Sequence, residues 1–255
     1  MTAFSFGLAT FFCTLGCALL GIFIRSKLPD THLNKESQDV IRLGMGLVAT
    51  MTALLLGLVT AAAKGSFDTT DAAVRNASAG MLTLDRLLAR YGPETKPTRE
   101  LLRKTVADRY EEIWPTSGGT PKGLDFKEAP VVPAAEMIEN QILALDPETD
   151  SQKWFKSEAL KITEEVLRTR WRIVGSTGGS VSRTFLFMVI FWLSMTFASF
   201  GLGAPRNATV AAVFLIAAFS VAAAVFLILE LDGPFEGIIK ISPAPIQYTI
   251  KNLGH

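Results

Sequence analysis

Hydrophobic residues are concentrated in four long, uncharged runs along the chain. They cover residues 3–24, 43–63, 184–204 and 208–229. A helix rises about 1.5 Å per residue, so twenty residues cross about 30 Å of hydrocarbon. Buried helices of water-soluble proteins rarely continue that far without a charged residue. The pattern therefore predicts an all-α integral membrane protein with four transmembrane helices.

The second run has small or hydroxylated residues at steps of four, three, four, three and four, which places them on one helical face. They are Gly46, Thr50, Ala53, Gly57 and Thr60, with Lys64 closing the series. Such a face allows another backbone to approach closely, or allows water and ions to pass. The residues alone do not decide between two interpretations. The face either packs tightly against another helix without a pore, or it lines a pore. The neighbouring face is wholly apolar and consists of Leu47, Met51, Leu54 and Leu58.

The first run has a similar series of small residues. It comprises Gly7, Thr10, Thr14, Cys17 and Gly21. Matching small faces on two successive spans predict close helix packing within a bundle, and packing of the two spans against each other is one option. No basic segment precedes this run, and Arg25 and Lys27 follow it at once. We therefore interpret it as a retained span rather than a signal peptide.

Residues 65–182 form a hydrophilic block in which apolar positions recur at helical spacing. The pattern predicts four helices there, at residues 74–91, 98–114, 134–145 and 150–174. Prolines and glycines between residues 115 and 133 predict a loop. The expected division is transmembrane helices 1 and 2 (1–64), the helical block (65–182), transmembrane helices 3 and 4 (183–231) and a C-terminal tail with the LDGPFEG motif (232–255).

Three carboxylates cluster where the fourth run ends. They belong to Glu230, Asp232 and Glu236. Two roles are open for them. They can cap the helix and form ion pairs with basic residues such as Lys64 or Arg183, or they can bind a divalent cation, because hard oxygen ligands suit Ca²⁺.

Charge and composition exclude several classes of protein. The chain is 49% hydrophobic with a formal net charge of +1, so it lacks the concentrated basic face of a nucleic-acid-binding protein. His32 and His255 offer neither metal-ligand spacing nor a partner for a nucleophile. We expect neither an enzyme nor a bound cofactor. Basic residues near the span ends are more numerous on the side of both termini and the hydrophilic block, which predicts that this side is cytoplasmic.

Three segments resemble the bacterial bestrophin-like membrane protein family. They are residues 61–68 (AAAKGSFD), 84–94 (LDRLLARYGPE) and 230–237 (ELDGPFEG). In layout this family is similar to true bestrophins, which are homopentameric anion-conducting channels with four spans and a pore lined by the second span. The resemblance implies a homo-oligomer, a pentamer by analogy, in the bacterial inner membrane. The implied partners are the lipid bilayer, further copies of the chain and inorganic anions.

The resemblance also assigns roles along the second span. Its small face, ending at Lys64, would line the pore, and a ring of Lys64 side chains at the cytoplasmic mouth would favour anions. True bestrophins narrow their pore with bulky side chains, so the apolar face from Leu47 to Leu58 would be the neck if the helix were rotated. The exit carboxylates occupy the place of the calcium clasp of some true bestrophins without matching its motif. The alternative function is a non-conducting membrane scaffold or sensor that binds a partner through its cytoplasmic helices.

Overall fold

The computed structural model describes residues 3–29, 35–115, 132–176, 182–235 and 237–254. Within these ranges the backbone forms eight α-helices, a 3-10 turn at Pro93–Thr95 and no β-strand. The helices are α1 (Ala3–Arg25), α2 (Lys35–Tyr91), α3 (Lys96–Ile113), α4 (Val132–Leu143), α5 (Asp150–Ser176), α6 (Arg183–Gly203), α7 (Ala208–Asp232) and α8 (Ala244–Asn252). Helices α1, α2, α6 and α7 are long and apolar enough to cross a membrane. The predicted all-α fold with four spans is confirmed.

Helix α2 continues for 57 residues through the point where the sequence changes from apolar to hydrophilic. The sequence pattern had suggested a span and a separate helix from residue 74. The helix is unbroken because residues 35–91 contain no proline, and a single glycine such as Gly65 costs only about 1 kcal/mol in a helix interior. It ends at Tyr91 because Gly92 adopts a φ of 153° and Pro93 follows.

The shorter helices agree with the predicted ones to within two residues, except for α8. Helix α3 ends before Pro115, and α4 and α5 begin within two residues of the expected positions. The 16 residues 116–131, which belong to the predicted loop, lie outside the described residues. Helix α8 lies in what the sequence suggested was an irregular tail. Its nine residues are too few for a clear apolar period, and prolines flank its start.

The chain divides into two compact units. The membrane unit comprises Met1–Ser66 and Gly179–Gly233, and the hydrophilic unit comprises Phe67–Gly178 and Pro234–His255. Each unit combines two distant stretches of sequence. Each therefore depends on contacts between residues that are more than one hundred positions apart.

In the membrane unit, α1 packs against both α6 and α7. A side-chain carbon placed on Gly21 would overlap the carbonyl of Ala198, and one on Gly201 would overlap the carbonyl of Ala18. The two backbones can approach this closely only because both glycines lack a side chain. Four members of the predicted small series on α1 are buried, namely Gly7, Thr10, Thr14 and Gly21. The prediction of close packing is confirmed for α1, with α6 and α7 as partners.

In the hydrophilic unit, the helices enclose an apolar core. Leu84 and Leu88 of α2 pack against Leu102 of α3, and residues from α4, α5 and the end of the chain complete the cluster. The core includes Leu88, Ile142 and Leu253, each with 1% exposure or less. Burial of such side chains from water stabilises the unit by roughly 1.5–3 kcal/mol per residue.

A buried ion pair joins three parts of this unit. The Arg99 guanidinium on α3 donates to both carboxylate oxygens of Asp85 on α2, at 2.7 and 3.0 Å. The backbone N–H of Gly254 donates to the same carboxylate at 3.3 Å. The Asp85 side chain is completely buried. The hydrogen bonds to Asp85 raise the pKa of Arg99 above its ordinary value.

Candidate pore-lining face

The predicted small face of α2 lies on the exposed side of that helix. Gly46, Thr50, Ala53, Gly57 and Lys64 are exposed, and Thr60 is half-buried. A side-chain carbon added to Gly46 or Gly57 would meet nothing within 4 Å. The buried positions of the same stretch, Thr52 and Ala63, lie on a different face. The predicted periodicity therefore places these residues on one face, and most of that face is exposed among the described residues.

The predicted apolar face of α2 is exposed as well. Leu47, Met51, Leu54 and Leu58 show exposures of 66, 48, 71 and 66%. Only 11% of the most apolar stretch of α2 is buried, compared with 28–33% in the other three membrane-length helices. Helix α2 is thus the span that the rest of the chain covers least. Both candidate faces are available to lipid, to other copies of the chain or to water.

The two threonines of the small face form hydrogen bonds within their own helix. Thr50 donates to the carbonyl of Gly46 at 2.9 Å, and Thr60 donates to the carbonyl of Leu56 at 2.7 Å. Such bonds remove the cost of placing a hydroxyl in hydrocarbon. A hydroxyl also rotates, so the same group can donate to an anion or a water molecule that passes it. The face is compatible with lipid and with a wet pore.

Lys64 closes the small face at the last helical turn of the membrane unit, whose first segment ends at Ser66. The side chain is exposed and lies one turn beyond Thr60 on the same face. A lysine at this position can extend its ammonium group from the end of the apolar stretch into water. Lys64 thus places a positive charge on the small face, at the end of the span that leads into the hydrophilic block.

Two of the three exit carboxylates, Glu230 and Asp232, lie in the last turn of α7. The helix ends at Asp232 with Gly233 as its C-cap residue, and carboxylates in the last turn oppose the helix dipole. Glu230 is only 7% exposed and Asp232 is half-buried, and both take part in polar or electrostatic interactions. Glu236 lies outside the described residues, so the three-carboxylate cluster stays a prediction. Among the residues that are described, no group of three or more histidine, cysteine, aspartate or glutamate side chains is arranged to hold a metal ion.

Sequence reasoning missed two polar features. One is the ion pair of Asp85 and Arg99, whose members are separated by the turn between α2 and α3. The other is Arg25 at the end of α1, which donates to the carbonyl of Ala204 just after α6. The basic residues near the span ends were used only to predict which side of the membrane is cytoplasmic. The position of Arg25 directly after an apolar run could have indicated its hydrogen bond to Ala204.

The arrangement described so far is that of a multi-pass helical membrane protein with one span left largely uncovered. The family model for the bestrophin-like domain matches residues 12–246 of the chain. The chain therefore belongs to the bestrophin-like family, and the resemblance noted in the sequence is confirmed.

Solved structures with the same fold are those of a bacterial bestrophin homologue from Klebsiella pneumoniae. One crystal structure, of a single-substitution variant, matches with a TM-score of 0.70 at 14% identity, covering 96% of each chain. Another variant matches with a TM-score of 0.70 at 16% identity, covering 99% of this chain and 97% of that one. The crystal structure phased with zinc has a TM-score of 0.66 at 15% identity over 96% of each chain. At this identity the similarity shows the fold alone. No curated protein sequence matches the chain significantly.

Proposed function

We propose that this chain assembles into an oligomeric channel for inorganic anions, with the small face of α2 lining the pore. The observation that carries the proposal is the exposure of α2. Its small and apolar faces are both largely exposed in the described part of the chain, while α1 uses a similar small series for packing. In a ring of identical subunits, a span with two adjacent exposed faces can direct one to the axis and the other to a neighbouring subunit.

Family membership supports the choice of an anion channel and of a homopentamer. We place the protein in the bacterial inner membrane with both termini and the hydrophilic unit in the cytoplasm, following the lysine and arginine bias of the sequence. Lys64 would then form a ring at the cytoplasmic mouth. A ring of like charges raises the local anion concentration and repels cations, and salt weakens the effect as the Debye length falls below about 10 Å.

Cysteine accessibility tests which face of α2 meets the water-filled axis. Single cysteines at Thr50, Gly57 and Thr60 are compared with cysteines at Leu54 and Leu58, all in a Cys13/Cys17-free background. We expect the three small-face positions to react fastest with a water-soluble thiol reagent in the assembled protein. Faster reaction at Leu54 and Leu58 would assign the axis to the apolar neck instead. Equal, slow reaction at all five would contradict a pore on α2.

Conduction is tested by flux of chloride and of potassium into liposomes that contain the purified protein. We expect chloride flux to exceed potassium flux, and Lys64→Glu to move the reversal potential towards cation permeability, most strongly at low salt. Lys27→Glu, in the connector between the first two spans, is the matched control. Absence of flux together with a monomeric particle in mild detergent would favour the non-conducting scaffold.

A further inference from the structure

A cavity of about 190 Å³ lies within the hydrophilic unit, between α2, α3, α4, α5 and α8. Its walls are almost entirely apolar. They include Val74 and Met81 from α2, Val106 from α3, Ile138 from α4, Val166 from α5, and Phe235 from the segment after α7. An apolar cavity of about 150 Å³ is known to accept a molecule the size of benzene. This one therefore has room for a single substituted ring.

One side of the cavity is aromatic. The rings of Tyr110 and Trp114 stack with centroids 5.9 Å apart, and Phe235 meets Trp114 edge-on at 5.8 Å. All three residues line the cavity. Aromatic walls bind a flat ring well, since edge-on and offset stacked contacts add to the gain from burying apolar area.

Some polar groups that line the cavity have a hydrogen-bond partner for each polar atom, and others have a buried atom without one. The Tyr110 hydroxyl accepts a hydrogen bond from the Gln247 side chain, and the Arg109 guanidinium donates to Glu112. Two buried N–H groups of the lining form no hydrogen bond among the described residues. They are the indole N–H of Trp114 and Nη2 of Arg109, although the Arg109 guanidinium also pairs with Glu112 as above. A buried donor of this kind is rare in native proteins and is costly when its partner is missing. It requires an acceptor.

The geometry points to a binding site for a small, single-ring aromatic molecule that carries one neutral hydrogen-bond acceptor, such as an aromatic amide or ketone. The ring fits the volume and the aromatic wall, and its carbonyl accepts from the Trp114 indole. A neutral acceptor fits better than a carboxylate because the charge of Arg109 is already matched by Glu112. The site lies wholly within the hydrophilic unit and does not depend on the pore proposed above.

Ligand-observed fluorine NMR on the full-length protein in detergent tests this site with two probes of similar shape. The probes are 4-fluorobenzamide, which has the acceptor, and 4-fluorotoluene, which lacks it. The variants are Trp114→Phe, which removes the N–H and keeps the aromatic wall, and Ala135→Leu, which fills the cavity from α4. Trp154→Phe is the matched control, because Trp154 is 58% exposed and does not line the cavity. Partition of each probe into detergent is the same for every variant, so differences in saturable binding report the cavity.

We expect the wild-type protein and Trp154→Phe to bind the amide more tightly than the toluene, by roughly five- to tenfold for one hydrogen bond. Trp114→Phe should remove that advantage without changing the affinity for the toluene. Ala135→Leu should weaken both probes. Thermal unfolding confirms that each variant is folded.

Three outcomes would overturn the inference. They are no saturable binding by the wild-type protein, equal wild-type affinity for the two probes, and an unchanged preference for the amide in Trp114→Phe. The first two need only the wild-type protein, so the inference can still be rejected if a variant does not fold.

Discussion

The two units of this protein hold their helices together in different ways. In the membrane unit, Gly21 and Gly201 bring the backbones of α1 and α6 into direct contact. Thr10 and Thr14 of α1 each donate to a carbonyl of their own helix. In the hydrophilic unit, leucine and isoleucine side chains fill the space between helices, and the ion pair of Asp85 and Arg99 joins α2 to α3.

The difference follows from the solvent around each unit. Lipid is as apolar as a leucine side chain, so burying leucine against another helix gains little there, and close van der Waals packing takes over. Burial of apolar area from water lowers the free energy, so large apolar side chains stabilise the hydrophilic unit. A charged pair is also tolerated inside that unit when each partner fully satisfies the other. The two units should therefore respond differently to the same kinds of substitution.

The largest loss of stability is expected for Gly21→Val in α1. The new side chain would overlap the Ala198 carbonyl, and a backbone group cannot move aside as a side chain can. We expect a loss above the roughly 3 kcal/mol of ordinary overpacking, with little folded protein in size-exclusion chromatography. The matched control is Gly16→Val on the same helix, where an added carbon meets nothing within 4 Å. Similar behaviour of the two variants would show that backbone contact is not what holds α1 and α6.

The next effect is expected for Asp85→Ala in the hydrophilic unit. Removing the carboxylate leaves the Arg99 guanidinium, whose side chain is only 15% exposed, without its anion. Breaking a buried pair in this way costs about 3–5 kcal/mol. The control is Asp71→Ala, which removes a surface pair with Arg75 and should cost less than about 1 kcal/mol. Thermal unfolding monitored by circular dichroism compares the two, and equal losses would contradict a special role for the buried pair.

The smallest effect is expected for Tyr91→Phe. The Tyr91 hydroxyl is buried without an acceptor among the described residues, so its removal should leave stability unchanged or raise it by about 1 kcal/mol at pH 7. Burial, followed by the nearby charges of Glu94, Asp146 and Glu148, raises the pKa of Tyr91.

The raised pKa also sets the sign of a pH effect. The unfolded chain loses its tyrosine proton near pH 10, before the folded one does. The part of the unfolding free energy that depends on protonated Tyr91 is therefore fully present below about pH 10, and it is lost as the pH rises further. Melting curves from pH 9 to 11 should fall less steeply for Tyr91→Phe than for the wild-type protein. Tyr248→Phe, at a residue that is 63% exposed, is the control, and an identical alkaline loss in all three proteins would reject the assignment.

Much of the fold was predictable because membrane spans have a strong local signal. Twenty residues without a charge identify α1, α6 and α7 with little need for context. The continuity of α2 was not predicted, since the change of composition after Lys64 was taken as a boundary although nothing there breaks a helix. Helix α8 was missed because its position depends on contacts made far along the chain, such as the hydrogen bond that Thr249 donates to the carbonyl of Ser78.

The candidate site was predictable in one respect only. The spacing from Gly46 to Lys64 identifies residues that share a helical face, and the helix keeps them on one face. The cavity beside Trp114 could not be found in this way. Its lining comes from five helices and from Phe235, which lies more than one hundred residues from Trp114 along the chain.

Sequence alone determined the class of protein, the positions of the four spans and the small faces on α1 and α2. The two faces are nearly the same pattern, yet only the tertiary structure decided that Gly21 is buried and Gly57 is exposed. The reason is that helical periodicity depends on the backbone of one helix, and burial depends on which other helix packs against it. On α1 the small residues admit the backbone of α6, whereas on α2 they remain available to partners outside the chain.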